Sequence, residues 1–135
     1  MSRLGRPALA ASLALGVVAV VAACSGNPAS AGPATAVPAG VFAVEASDQG
    51  GYKFTPSALT VPSGSVTFSV KNAGTEVHEF EIFKGETVVD EIEGLVPGLT
   101  RDLTVTLDAG EYTYVCKLAA HDALGMKGAL TVSPS

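Results

Sequence analysis

Basic side chains are scarce in this chain: eight Lys/Arg stand against thirteen Asp/Glu, a formal charge of −5. A surface of that sign excludes nucleic acid and anionic lipid headgroups as expected partners. No long amphipathic helix pattern and no internal repeat occur, so helical bundles and solenoids are excluded. Histidine is limited to His78 and His121, methionine to Met1 and Met126, and cysteine to Cys24 and Cys116. No motif for a catalytic triad is evident among them.

Only one long apolar run is present, Ala8 to Ala23, about sixteen residues where a membrane-spanning helix needs roughly 20. Arg3 and Arg6 precede it and small residues end it. That order of charge, apolar core and small-residue site predicts a cleaved secretory leader over residues 1–23. Val21-Ala22-Ala23-Cys24 resembles the lipobox of bacterial lipoproteins, which implies lipidation of Cys24 and anchoring at the outer face of the cell membrane or in the periplasm. Residues 24–40 hold that cysteine and an uncharged Ala/Gly/Pro/Ser/Thr stretch, expected to be a flexible spacer. A single domain is expected over 41–135. Without Arg3 and Arg6, six Lys/Arg face thirteen Asp/Glu, so the exported form carries −7.

If Cys24 carries lipid, Cys116 is a lone thiol in an oxidising compartment, which calls for burial or metal ligation.

Strict period-two patterns run through Ser65–Lys71, Val77–Phe83, Asp102–Leu107 and Glu111–Cys116. Shorter candidates are Phe42–Glu45, Leu59–Val61, Val88–Ile92 and Ala129–Val132, with turn residues such as Pro62-Ser63-Gly64, Asn72-Ala73-Gly74 and Pro97-Gly98 between strands. Short strands at this spacing predict an all-β, antiparallel Greek-key sandwich or barrel. Asp122–Leu124 is expected to form a turn of helix. Tyr112 and Tyr114 share the parity of Cys116 and are expected in the core. Residues 76–93 carry seven acids opposed only by Lys84, which reads either as a solvated face or as a docking patch for a basic partner.

The chemistry concentrates in Cys116-Lys-Leu-Ala-Ala-His121-Asp-Ala-Leu-Gly-Met126. A cysteine ends a strand, a histidine follows five residues later, and a methionine five after that. His78 lies on the strand after the Asn72-Ala73-Gly74 turn. Taken singly these residues are ordinary core or surface positions. As a set, two imidazoles, one thiolate and a weak thioether make a copper electron-transfer site.

The same segments carry a family resemblance. Phe54-Thr-Pro56-Ser-Ala-Leu59-Thr-Val61-Pro-Ser-Gly64-Ser-Val66-Thr-Phe68, Asn72-Ala-Gly74 before His78, and Gly110-Glu-Tyr112-Thr-Tyr114-Val-Cys116 with His121 and Gly125-Met126-Lys-Gly128 resemble the cupredoxins, the small blue-copper proteins. The resemblance implies one copper ion held by His78, Cys116, His121 and Met126. Val77-His-Glu-Phe-Glu-Ile82, Glu91-Ile-Glu-Gly-Leu-Val-Pro97-Gly98-Leu99-Thr-Arg101 and Leu103-Thr-Val-Thr-Leu107 resemble, more narrowly, the EfeO-type cupredoxin-like domain of exported iron-uptake proteins. Two positions depart from the blue-copper pattern. Glu79 stands where an Asn often ties the ligand loops together, and Lys117–Ala120 lacks the Pro or Gly common before the second His.

Electron transfer through one copper ion is therefore the expected function, with metal handling (copper binding or support of iron uptake) and a metal-free interaction module as alternatives. Four protein ligands leave no open position for substrate, so no enzyme is expected. Leu118, Ala119, Ala120, Ala123 and Leu124 around His121 read equally as packing or as an apolar patch around a partly exposed His121 edge, where a redox partner or transport component would dock.

Overall fold

The computed structural model describes residues 40–135. The leader, Cys24 and the spacer up to residue 39 lie outside the described residues.

Among the described residues, alternation of apolar and polar side chains produces nine strands: β1 (Val41–Ser47), β2 (Lys53–Thr55), β3 (Ala58–Pro62), β4 (Gly64–Asn72), β5 (His78–Lys84), β6 (Thr87–Leu95), β7 (Thr100–Leu107), β8 (Gly110–Val115) and β9 (Lys127–Ser133). They form two sheets, one ordered β2-β1-β4-β7 and the other β3-β9-β8-β5-β6. The expected sandwich is present. Most pairings are antiparallel, but β1 runs parallel to β4 and β3 parallel to β9.

β4 shows why the sequence folds this way. Val66, Phe68, Val70 and Asn72 face inward, and the residues between them face out or sit half-buried. The inward faces meet in an aromatic centre. Phe80 packs against Phe54, Phe68 and Tyr114 with ring centroids 5.6, 5.7 and 5.4 Å apart. Each buried Phe contributes about 1.5–3 kcal/mol from removal of apolar surface. Tyr112 and Tyr114 are both buried, as their parity implies. Each hydroxyl finds a backbone acceptor, Asp108 O at 3.0 Å and Pro56 O at 2.7 Å.

Three details differ from the sequence expectations. β2 has a single buried residue, Phe54, too little alternation to be read as a strand. The 3₁₀ turn falls at Leu118–Ala120, and Asp122–Leu124 follow it as hydrogen-bonded turns, with Leu124 N donating to His121 O and Gly125 N to Asp122 O. β6 is longer than expected and bulged. Between the pairs His78↔Leu95 and Phe80↔Ile92 it takes three residues to β5's two. Gly94 absorbs the extra residue at φ 61°, a left-handed conformation that costs glycine nothing.

Candidate metal centre

Three elements deliver the site. His78 opens β5, Cys116 follows the last residue of β8, and His121 closes the 3₁₀ turn. β5 and β8 are hydrogen-bonded neighbours, with Glu81 opposite Val115, so the two strand ends lie side by side. The loop after Cys116 then folds back on itself. His121 N donates to Leu118 O at 3.0 Å, Met126 N to His121 O at 3.0 Å, and Cys116 N to Met126 O at 3.1 Å. This closure requires left-handed backbone at Ala119 (φ 48°) and Ala120 (φ 59°), which side chains other than glycine adopt at a cost.

His78 Nδ1 lies 3.4 Å from His121 Nδ1, and Cys116 Sγ lies 3.5 Å from His121 Nδ1. The three donors are mutually within 4.8 Å, and all three residues are buried. Three such ligands spread around one ion, at about 2.0–2.1 Å for nitrogen and 2.3 Å for sulfur, would stand about 3.5–3.8 Å apart. The donor set therefore fits a trigonally held transition metal. Its softness, one sulfur and two imidazoles, fits copper. Met126 is fully buried in the core, and its backbone is bonded to both Cys116 and His121.

Burial sets the charge states. It pushes the Cys116 thiol up, opposed by the Glu79 amide, and pushes His78 down, opposed by Asp48. The lowered His78 pKa favours the neutral ring, the form a metal requires.

The surroundings hold contacts that sequence reasoning missed. The Glu79 amide donates to Cys116 Sγ at 3.2 Å. Glu81, one of the seven acids of 76–93, is buried, and its Oε1 accepts from Lys117 N at 3.2 Å. This bond ties β5 to the ligand loop where the missing Asn was expected to. Asp48 meets His78 Nε2 at 3.3 Å, and Glu76 meets His121 Nε2 at 3.4 Å. Tyr52 lies against His121, centroids 4.4 Å apart, with its hydroxyl 3.1 Å from both Glu76 oxygens. The expected exposed edge of His121 is therefore absent: the residue is 3% exposed beneath Tyr52 and Glu76. Of its apolar surround, Leu124 is the large exposed side chain, at 58%.

Comparison with known proteins agrees with this architecture. The cupredoxin-like domain family matches residues 13–132. The iron uptake system component EfeO of Yersinia pseudotuberculosis is 44% identical over 78 residues, which are 58% of this chain and 20% of that protein. The chain thus spans about a fifth of the length of that relative. Reduced auracyanin from Roseiflexus castenholzii superposes with a TM-score of 0.65 at 23% identity, covering 73% of this chain and 100% of that one. Auracyanin A, a "blue" copper protein from Chloroflexus aurantiacus, gives 0.60 at 24% identity, covering 70% and 100%. At these identities the solved structures speak to the fold. With the family match spanning most of its length, this chain belongs to the cupredoxin-like domain family.

Proposed function

We propose that this chain is an exported, lipid-anchored protein that binds one copper ion through His78, Cys116, His121 and Met126 and carries electrons. One observation supports this reading above the others: two imidazole nitrogens and a thiol converge at 3.4 and 3.5 Å in a buried pocket of the chain's own making. A copper ion there supplies a one-electron couple. The protein's part is to hold the donors fixed, exclude water and stabilise the thiolate. The Glu79 amide does the last by donating to the sulfur. Four protein ligands leave no substrate position, so the reading is of a carrier, not an enzyme. Lipid on Cys24 would keep it at the membrane, and replacing Cys24 by Ala should move it from the membrane fraction to the soluble one.

A second reading, metal handling beside iron uptake, is favoured by the 44% identity to an iron uptake component and by the cover over His121. A visible spectrum separates the two. Cu(II) added to the purified chain should give an intense blue thiolate band that Cys116→Ser abolishes. A colourless protein that binds only Cu(I) favours metal handling, and a blue Cys116→Ser variant overturns the ligand assignment.

A further inference from the structure

Each imidazole of the site meets a carboxylate on the side turned away from the thiol. His78 Nε2 faces Asp48 Oδ1 at 3.3 Å, and His121 Nε2 faces Glu76 Oε2 at 3.4 Å. Both acids are held in place. The Asp48 carboxylate accepts from Thr75 N at 2.6 Å, Thr75 Oγ1 at 2.7 Å and Glu76 N at 3.3 Å. Asn72 secures the same segment from the other side, its amide donating to Glu76 O at 2.7 Å and its Oδ1 accepting from Gly74 N at 2.8 Å. Tyr52 steadies the Glu76 carboxylate through its hydroxyl.

Gly74 is part of this arrangement. A Cβ on it would run into Asp48 Oδ1 and would stand 3.0 Å from His78 Nε2. The missing side chain is what lets the carboxylate reach the ring.

We infer that Asp48 is a positioning residue for the metal centre, holding the outer N–H of His78 so that its Nδ1 lone pair turns inward, and that the Asp48 and Glu76 carboxylates together weight the site toward Cu(II) over Cu(I). An ionised carboxylate only accepts, so an imidazole bonded to one carries its proton on that nitrogen. The opposite nitrogen is then a lone pair. The His78 lone pair, 3.4 Å from His121 Nδ1 and close to a thiol, helps form a pocket that calls for a cation. A carboxylate behind a ligating imidazole also makes it more basic, and two negative charges behind the ligands favour the more highly charged ion. This inference rests on the copper reading above, and its failure is separable from the failure of that reading.

The experiment has two stages, both on the full chain. In the metal-free protein, long-range ¹⁵N–¹H NMR should find the His78 ring protonated on Nε2. A His78 ring protonated on Nδ1 would overturn the inference. The copper-loaded protein is then titrated for its reduction potential as wild type, Asp48→Asn and Glu76→Gln. Each substitution should keep the blue band while lowering the preference for Cu(II) about tenfold, a rise of 59 mV for one electron. Glu76 is 51% exposed, so Glu76→Gln serves even if Asp48→Asn disturbs the loop. If the unchanged chain takes up no copper, the ligand reading falls and this inference with it. If copper binds and the three potentials coincide, this inference alone falls.

Discussion

The backbone amide of Glu79 donates to the sulfur of Cys116 at 3.2 Å, across 37 residues of sequence. The donor is main chain, so the bond is indifferent to which side chain stands at 79. The Glu79 side chain is raised in pKa by burial first and then by the nearby Glu93 and Glu91, which makes its charge slightly unfavourable to the fold. Glu79→Asn should therefore leave the copper band in place and change unfolding stability by no more than about 0.5 kcal/mol, toward stabilisation. A urea titration read alongside the visible spectrum decides this. Loss of the band would mean that the Glu79 carboxylate, not its amide, supports the site.

How much of this was legible beforehand follows sequence distance. Cys116 and His121 sit in one loop, five residues apart, and Met126 ends that loop with its backbone bonded to both. His78 was readable because a strand and a turn precede it. Asp48, Tyr52 and Glu76 were not, because their meeting depends on β1 lying parallel to β4, with Ala46 opposite Asn72. No local pattern announces a parallel pairing of strands that far apart. Glu81 was missed for a different reason. Strict alternation turns it outward, yet Phe80, Glu81 and Ile82 are all buried. The ligand loop covers that side of β5, and Lys117 N satisfies the acid there.

The ligand loop holds strain that glycine can relieve. Ala119 and Ala120 both adopt positive φ, which costs a non-glycine residue roughly 1–2 kcal/mol. Glycine avoids that cost but loses roughly 0.5–1 kcal/mol in unfolded-chain entropy. The balance predicts that Ala119→Gly and Ala120→Gly each stabilise the metal-free protein by about 0.5–1 kcal/mol. Denaturation midpoints should rise with unchanged slope. Destabilisation by both variants would contradict the left-handed loop.

At the opposite extreme of tolerance is Gly128. It pairs with Tyr114 across β8 and β9, and a Cβ there would run into the Tyr114 ring. That ring is fully buried against Phe54 and Phe80 and has nowhere to go. Gly128→Ala should destabilise by about 2–3 kcal/mol through overpacking. Tyr114→Phe keeps the ring and removes only the bond to Pro56 O, so it should cost about 1–2 kcal/mol. If Gly128→Ala proved the milder of the two in thermal unfolding, the tight contact would be refuted.

Met126 can be tested as ligand against core filler, because the two roles respond differently to leucine. The side chain is fully buried, and Met to Leu conserves volume, so Met126→Leu should cost less than about 1.5 kcal/mol in stability under either role. The strong donors, His78, Cys116 and His121, remain, and the thiolate band should persist. The potential separates the cases. A thioether donates electron density, which helps Cu(II) more than Cu(I), and leucine has no lone pair to offer. If Met126 is the weak axial ligand, its replacement should therefore raise the reduction potential. A voltammogram that does not shift, from a protein that is still blue and still folded, would assign Met126 to the core alone.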